Sequence, residues 1–180
     1  MPHLRPLGPQ ARPEAARGYY RVKPGDAWLI CPDLNSGFDA AGGVISTASD
    51  IVRWDGALKG GVLLSPASLA LMRTPARLAN GKFSPIGMGL AAPGGPGSYG
   101  AAGQTVSFAA ANASYGSGYD VVLLAKGSNT VGDVAYPRFV LAARIHNVLN
   151  PSAPEPVPAL PPSAGIIEPT APTELLRLCQ

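Results

Sequence analysis

The segment AAGGVISTASDIVRW, Ala40–Trp54, carries the clearest local structural signal in the chain. Thr47 is followed three residues later by Asp50, which is the acidic form of a capping box. The hydroxyl accepts a hydrogen bond from an unpaired backbone amide, and the carboxylate lies at the positive end of the helix. An apolar face follows at helical spacing, formed by Ile51, Trp54 and Leu58. The pattern predicts a helix that ends at Gly60-Gly61, where glycine can adopt the left-handed conformation.

Two further helices are predicted downstream. Ser65 precedes Pro66, which suits the first helical position because its missing N–H costs nothing there, and this helix stops before Pro75. The last helix covers roughly residues 137–149. Its predicted apolar stripe consists of Val140, Leu141, Ile145, Val148 and Leu149, with Arg138 and Arg144 off the stripe.

The middle of the chain changes to the pattern of strands. Residues 107–115 are mostly small, and residues 119–125 form a near-continuous apolar run that predicts burial on both faces. Gly116-Ser117-Gly118 between them predicts a hairpin turn. With a third strand at 97–103, these segments predict a three-stranded antiparallel meander flanked by helices, which is an α+β fold.

The flanking segments divide the chain into three parts. Residues 1–17 are predicted to form an irregular lead-in, because the density of proline and glycine favours neither helix nor strand. Residues 18–149 form the predicted domain, which starts with a long ordered loop carrying one or two short strands. Residues 150–180 are predicted to form a disordered, proline-rich tail of extended character.

Composition excludes several classes of protein. Lys and Arg number 14 and Asp and Glu 11, and this balance of +3 is too small and scattered for a nucleic-acid partner. No apolar run reaches the ~18 residues that a membrane span needs. The first residues lack the apolar core of a secretory signal, so a cytoplasmic location is expected. Cys31 and Cys179 leave a single disulfide open as a minority alternative.

The sequence offers no cofactor and no metal site. His3 and His146 are far apart and belong to no ligand-spacing motif, and the acidic residues are dispersed. Gly94-Gly95-Pro96-Gly97 contains a proline and opens no helix, so it is a poor phosphate cradle.

Serine catalysis is also poorly supplied, so no catalytic residue is assigned. No G-x-S-x-G motif occurs, and no lysine stands three residues after a serine, which excludes S-x-x-K. Tyr115-Gly116-Ser117 has a Y-x-S form, but we interpret this as coincidence in a turn. His146 is expected to face solvent or cap the last helix. We therefore expect no hydroxyl in the chain to have a neighbouring amine or imidazole that could take its proton.

Five segments, in order, resemble the serine β-lactamase-like family, which includes class C β-lactamases, D-Ala-D-Ala carboxypeptidases and related esterases. Ala40–Trp54 is similar to the family's segment with two glycines, Ser-Thr and an aspartate before a helix. The other four segments are Gly61–Pro66, Pro85–Leu90, Tyr99–Phe108 and Tyr119–Gly127. The resemblance covers roughly residues 18–149 and corresponds to the C-terminal half of the family's fold.

The resemblance implies a five-stranded antiparallel sheet and acylation of a serine held in S-x-x-K. It also implies a substrate groove lined by a third motif, K-T-G or H-x-G, on an edge strand. Here Ala101 takes the place of the Lys or His, followed by Ala102 and Gly103, and Ser107 stands where the family often has glycine. The implied substrate-binding residues, in a degenerate form of that motif, are Ala101, Ala102, Gly103, Gln104 and Thr105, with the Gln104 backbone N–H as an oxyanion donor.

These features predict a truncated or degenerate relative of the family's hydrolases that is inactive alone. Two alternatives are a non-catalytic module that binds a small acyl or peptide ligand, and a partner subunit that completes a separately encoded catalytic half. The apolar strand at 119–125 would lack a neighbour on one side. We therefore also expect marginal stability, self-association or completion by an N-terminal catalytic half.

Overall fold

The computed structural model describes residues 5–6, 15–21, 27–30, 42–84, 86–105, 107–129 and 136–158. Within these ranges the chain has an α+β architecture, as predicted. The helices are α1 (Ala48–Lys59), α2 (Pro66–Arg73) and α3 (Tyr136–Leu149). The strands are β1 (Arg5–Pro6), β2 (Tyr19–Arg21), β3 (Leu29–Ile30), β4 (Val44–Ile45), β5 (Tyr99–Gln104), β6 (Ala109–Ser114), β7 (Asp120–Ala125) and β8 (Gly127–Asn129). Cys31 and Cys179 lie outside the described residues.

The main sheet is an antiparallel meander in the order β5-β6-β7, which confirms the prediction. The turn between β6 and β7 is closed by two backbone hydrogen bonds, from Tyr115 N–H to Tyr119 O (2.9 Å) and from Gly118 N–H to Tyr115 O (3.0 Å). Gly118 has a φ of 94°, a conformation that glycine adopts readily. Such a turn followed by a left-handed glycine is a common three-residue hairpin.

Two smaller sheets use the N-terminal part of the chain. One has the order β3-β2-β8, and the other pairs β1 with β4. The short strands β2 and β3 agree with the loop predicted for residues 18–45. The prediction of no strand in residues 1–17 is wrong at Arg5–Pro6, which pair with Val44–Ile45. A proline is tolerated there because an edge strand needs no donor on its outer side.

The predicted helix ends are confirmed. The Thr47 hydroxyl accepts a hydrogen bond from Asp50 N–H at 3.2 Å, and Gly61, with a φ of 71°, follows the end of α1. The Ser65 hydroxyl accepts from Ser68 N–H at 3.1 Å at the start of α2, which ends before Pro75. Each hydroxyl satisfies an amide that has no partner within its helix.

Helices α1 and α3 cover opposite faces of the main sheet. Asn112 on β6 bonds to Asp55 of α1, whereas its neighbour Ala113 packs with Phe139 of α3. Successive side chains of a strand point to opposite faces, so the two helices lie on either side. The core cluster on the α1 face consists of Leu58, Leu69, Leu90 and Tyr99. The cluster on the α3 face consists of Ala113, Tyr115, Val121, Phe139 and Ala142.

The predicted burial of α3 is partly wrong. Leu141, Val148 and Leu149 are exposed, and Arg144 is exposed as expected. The buried face of the helix is formed instead by Phe139, Val140, Ala142, Ala143 and His146. The small side chains of Ala111 and Ala113 on β6 leave room for this face, including the Phe139 ring.

Two other predictions need correction. Strand β7 is not buried along both faces, because Leu124 is 51% exposed and, among the described residues, β6 is the only strand that pairs with β7. The first part of the predicted tail is also ordered against the domain. Glu155 donates its N–H to Asn147 Oδ1 at 2.8 Å and accepts at Oε2 from Gly95 N–H at 2.6 Å. Residues 159–180 lie outside the described part of the chain.

Candidate functional site

Strand β5 carries the five residues predicted to bind substrate, and their side chains divide between the two faces. Ala101 and Gly103 are exposed on the α1 face, since Ala101 pairs with Asn112. Ala102 packs against the α3 cluster. Small residues at the two exposed positions leave the surface of the strand open on the α1 face.

The other two predicted residues are tied to the protein itself. The Gln104 side chain lies on the α3 face, where its Oε1 accepts a hydrogen bond from Arg138 Nη2 at 2.7 Å. Thr105 closes the connection between β5 and β6: its N–H donates to Phe108 O at 2.8 Å, and its hydroxyl accepts from Phe108 N–H at 3.2 Å. What Gln104 and Thr105 can offer a ligand on the α1 face is therefore mainly backbone.

The backbone amides of β5 alternate between its two edges. Gly100 N–H donates outward to Ala91 O at 2.9 Å, whereas Thr105 N–H donates inward to Phe108 O. Because successive amides of a strand point to opposite edges, the N–H of Gln104 points to the outer edge. Among the described residues, only the isolated bridge between Ala91 and Gly100 pairs with that edge.

A chain of two hydrogen bonds leads from Ala101 to the buried Asp55. Ala101 N–H donates to Asn112 Oδ1 at 3.2 Å, and Asn112 Nδ2 donates to Asp55 Oδ1 at 2.9 Å. The side chain of Asp55 is fully buried, and its Oδ2 has no hydrogen-bond partner among the described residues. Burial raises the pKa of Asp55 to about 6; the hydrogen bond from Asn112 opposes this shift, and the nearby Asp120 adds to it.

An ion pair fixes α1 against the end of the sheet. Lys59 Nζ lies 2.7 Å from Asp120 Oδ2 at the start of β7. The predicted site and this ion pair occupy opposite ends of the sheet, because Asp120 pairs with Ser114 whereas Gln104 pairs with Ala109. Together with the hydrogen bond that Asn112 donates to Asp55, the ion pair joins α1 to the sheet at two places.

A second polar cluster was not predicted. His146 is fully buried, so the expectation that it faces solvent is wrong. Its Nε2 lies 2.7 Å from the hydroxyl of Ser117, and its Nδ1 lies 3.0 Å from Asn147 Oδ1. The expectation that no hydroxyl has an imidazole neighbour is therefore also wrong. One feature of the sequence could have indicated the burial of His146. It follows Phe139, Ala142 and Ala143 at helical spacing, which places it on the buried face of α3.

The described residues contain no group of three or more His, Cys, Asp and Glu side chains that could hold a metal ion. None of the helices described is long and apolar enough to cross a bilayer.

Comparison with known proteins identifies one family. The family model described as Beta-lactamase matches residues 2–144, which include β5, β6, β7 and most of α3. A search of curated proteins returned no match. The family match extends beyond the segments that carried the resemblance and spans most of the 180 residues. The chain therefore belongs to the β-lactamase family, whose members are related to serine hydrolases.

Proposed function

We propose that this chain is a degenerate member of the family that binds an acyl or peptide ligand along β5 and does not turn over the family's substrates by itself. Those substrates, by the resemblance, are β-lactams, D-Ala-D-Ala peptides and esters. The proposal rests mainly on the outer edge of β5, which is open in the described residues beyond Gly100 and where the Gln104 N–H points outward beside the exposed Ala101 and Gly103. A backbone donor survives the side-chain changes that altered the motif.

The proposed lack of hydrolase activity follows from the absence of two groups that the family's reaction uses. The 180 residues contain no S-x-x-K, so the amine that would activate the family's serine is missing. Ala101 replaces the cationic or imidazole group of the third motif by a methyl group, which removes the charge that would orient a substrate carboxylate. The network from Ala101 through Asn112 to Asp55 still holds the backbone of the strand in place.

Titration of the ¹⁵N-labelled chain with peptidoglycan fragments ending in D-Ala-D-Ala tests the proposal. Amide shifts at Gln104 and Thr105 are expected, with no release of D-Ala and no hydrolysis of a chromogenic cephalosporin. Absence of shifts across the fragment panel would overturn the binding function. Catalytic turnover by the chain alone would overturn the proposed loss of activity.

A matched pair of variants sharpens this experiment. Ala101→Lys restores a cation at the third motif and is expected to tighten binding of the peptide carboxylate about tenfold, the effect of roughly one favourable charged hydrogen bond. Ala67→Lys is the control, because it adds the same charge at an exposed position on α2, outside the main sheet. Equal gains from both variants would indicate general electrostatic attraction rather than the proposed site.

The second candidate is a partner subunit that completes a separately encoded catalytic half carrying S-x-x-K. In the described residues β7 pairs on one side only and Leu124 is exposed, which favours this candidate because a strand with a free edge can accept another strand. Co-expression with a candidate catalytic half is expected to produce β-lactam or ester hydrolysis. Leu124→Lys should then reduce the recovered activity. Co-expression that yields neither a complex nor activity would contradict this candidate.

A further inference from the structure

A polar cluster forms where the β6–β7 turn, the end of α3 and residues 150–158 meet. The Ser117 hydroxyl lies 2.7 Å from His146 Nε2, and His146 Nδ1 lies 3.0 Å from Asn147 Oδ1. This cluster and the predicted ligand site are at opposite ends of the main sheet. Gln104 pairs with Ala109 at the far end of β6, which is about 17 Å from Ser114 at the usual rise of a strand.

The backbone of Glu155 fixes the orientation of the Asn147 amide. Asn147 Nδ2 donates to Glu155 O at 3.0 Å, while Asn147 Oδ1 accepts from Glu155 N–H at 2.8 Å. An amide flipped by 180° would place donor against donor and acceptor against acceptor. The atom that faces His146 is therefore an oxygen, which can only accept a hydrogen bond.

This orientation fixes the tautomer of His146. Because Asn147 Oδ1 is an acceptor, the proton of the neutral imidazole must be on Nδ1. Nε2 then carries a lone pair, and the Ser117 hydroxyl is the donor in the 2.7 Å contact. A serine that donates to Nε2 of an imidazole held through Nδ1–H is the arrangement that activates a nucleophilic hydroxyl, and it is recognised by these roles rather than by sequence position.

Two tyrosines hold the imidazole in place. The centre of the Tyr115 ring lies 4.5 Å from that of His146, and the Tyr119 ring meets it edge-on at 5.5 Å. Burial, reinforced by the Glu155 carboxylate, raises the pKa of Tyr115 to about 12, so this phenol stays neutral beside the base. His146 is fully buried whereas Ser117 is exposed at the tip of the turn. A reagent can therefore reach the hydroxyl while the base stays protected from solvent.

We propose that Ser117 is a nucleophilic serine that accepts an acyl group from carboxylic esters with good leaving groups, with His146 as its base and Asn147 as a positioning residue. Ser117 Oγ forms a bond to the ester carbonyl carbon as the bond from that carbon to the leaving oxygen breaks. The hydroxyl proton passes to His146 Nε2 and from there to the departing alkoxide or phenoxide. The products are O-acyl-Ser117 and an alcohol or phenol.

This reaction is a single acylation and is separate from ligand binding at β5. Asn147 is neutral, so it orients the imidazole but contributes no charge to stabilise the imidazolium form. We therefore expect acylation at about one equivalent rather than rapid turnover.

Treatment of the full chain with p-nitrophenyl acetate tests the proposal, with the acetylated residues mapped by mass spectrometry over time. Ser117 is expected to be acetylated at least about tenfold faster than Ser152, a modest share of the ~10²–10⁴-fold effect of a positioned base. Ser152 is an internal control, because it is exposed near the end of the same helix and its hydroxyl bonds only to Asn150 in the described residues. Equal rates at the two serines in the unmodified chain would overturn the proposal without any variant.

Variants separate the roles of the three residues. Ser117→Ala should remove the fast acetylation, and Ser152→Ala should leave it unchanged. His146→Gln should slow acetylation of Ser117 to the rate of Ser152, provided that circular dichroism shows a folded chain. Asn147→Ala should slow the reaction, and Asn147→Asp should restore it, because a carboxylate also accepts from Nδ1–H. Unchanged rates in folded His146→Gln protein would contradict the assignment of the base.

The acylation of Ser117 and the proposed ligand site on β5 can be tested separately. Ser117→Ala is expected to leave the amide shifts of Gln104 and Thr105 on ligand addition unchanged. Loss of those shifts in unmodified protein would overturn the β5 proposal alone, and slow acetylation of Ser117 would overturn this inference alone.

Discussion

Asp55 is a carboxylate buried between α1 and the main sheet, and its only side-chain hydrogen bond among the described residues comes from Asn112. The free energy needed to remove the charged form from water exceeds what one hydrogen bond from a neutral amide provides. Burial therefore raises the pKa of this group to about 6 from its ordinary 3.8. Asn112 also holds the N–H of Ala101. One buried acid thus supports the backbone at the position where the family carries its third motif.

The raised pKa predicts how stability depends on pH. Between about pH 4 and 6 the native state keeps the Asp55 proton while the unfolded chain has lost it, so stability falls as pH rises through this window. Asp55→Asn keeps an acceptor for Asn112 and removes the titration. The free energy of unfolding, measured with urea, should fall more between pH 4 and pH 7 in the original chain than in the variant. Equal losses would contradict the assignment.

Gly100 is required by close packing between β5 and β6. A Cβ atom at this position would collide with the carbonyl oxygen of Asn112 and would lie 3.1 Å from both Ala113 Cα and the Phe139 ring. Gly100→Ala is therefore expected to lower the free energy of unfolding by about 1–3 kcal/mol, the usual cost of overpacking. Gly103→Ala is the control on the same strand, because nothing lies within 4 Å of its Cβ. A similar loss in both variants would point to backbone effects instead.

At the scale of elements, the start of α1 depends on its N-cap, Thr47, which precedes the first helical residue. Thr47 is extended, and its hydroxyl accepts the N–H of Asp50, which has no partner inside the helix. Thr47→Ala is expected to cost about 1 kcal/mol, and Thr47→Ser should retain most of the stability because it keeps the hydroxyl. Chemical denaturation measures both. Equal losses in the two variants would show that the methyl group, rather than the cap, stabilises the start of α1.

Near the β6–β7 turn, α3 and the loop at Gly95 are joined by a segment that follows the helix. Glu155 joins residues 150–158 to α3 through Asn147 and to the loop at Gly95. The same contacts orient the amide that faces His146. Residues 150–158 are therefore held against the domain by the backbone and the carboxylate of Glu155.

At the scale of the whole molecule, the main sheet is open at β7 in the described part of the chain. Strand β7 pairs only with β6 in the described residues, and Leu124 near its end is half-exposed. Unpaired N–H and C=O groups beside apolar side chains favour addition of another strand. Association with a second copy or a partner would cover this side of the sheet.

Sedimentation velocity over a range of concentrations tests whether the chain associates through β7. The chain is expected to associate as concentration rises, and Leu124→Lys should shift it towards monomer, because a charge on an edge strand opposes pairing. Leu71→Lys is the control, since Leu71 is 63% exposed on α2, away from β7. A monomer at every concentration, with a sharp two-state melt, would contradict the predicted association.

Much of the local structure follows from short-range patterns in the sequence. The caps of α1 and α2, the turn at Gly116-Ser117-Gly118 and the three strands of the meander were all predicted, because each depends on residues within a few positions of one another. The family was also recognisable from ordered segments, and the match to residues 2–144 confirms it. The five residues of β5 came from that resemblance, and their role in binding stays a prediction.

The contacts that give the molecule its chemistry were decided by the tertiary structure. Ser117 and His146 are 29 residues apart, Asn112 and Asp55 are 57 apart, and Gly95 and Glu155 are 60 apart. No local pattern links such pairs, because their meeting depends on which face of the sheet each helix covers and where the chain returns. The sequence predicted an exposed His146, whereas the packing of α3 against β6 buries it in contact with Ser117. Residue types and spacing specify elements, whereas the environment of a side chain arises only when those elements pack.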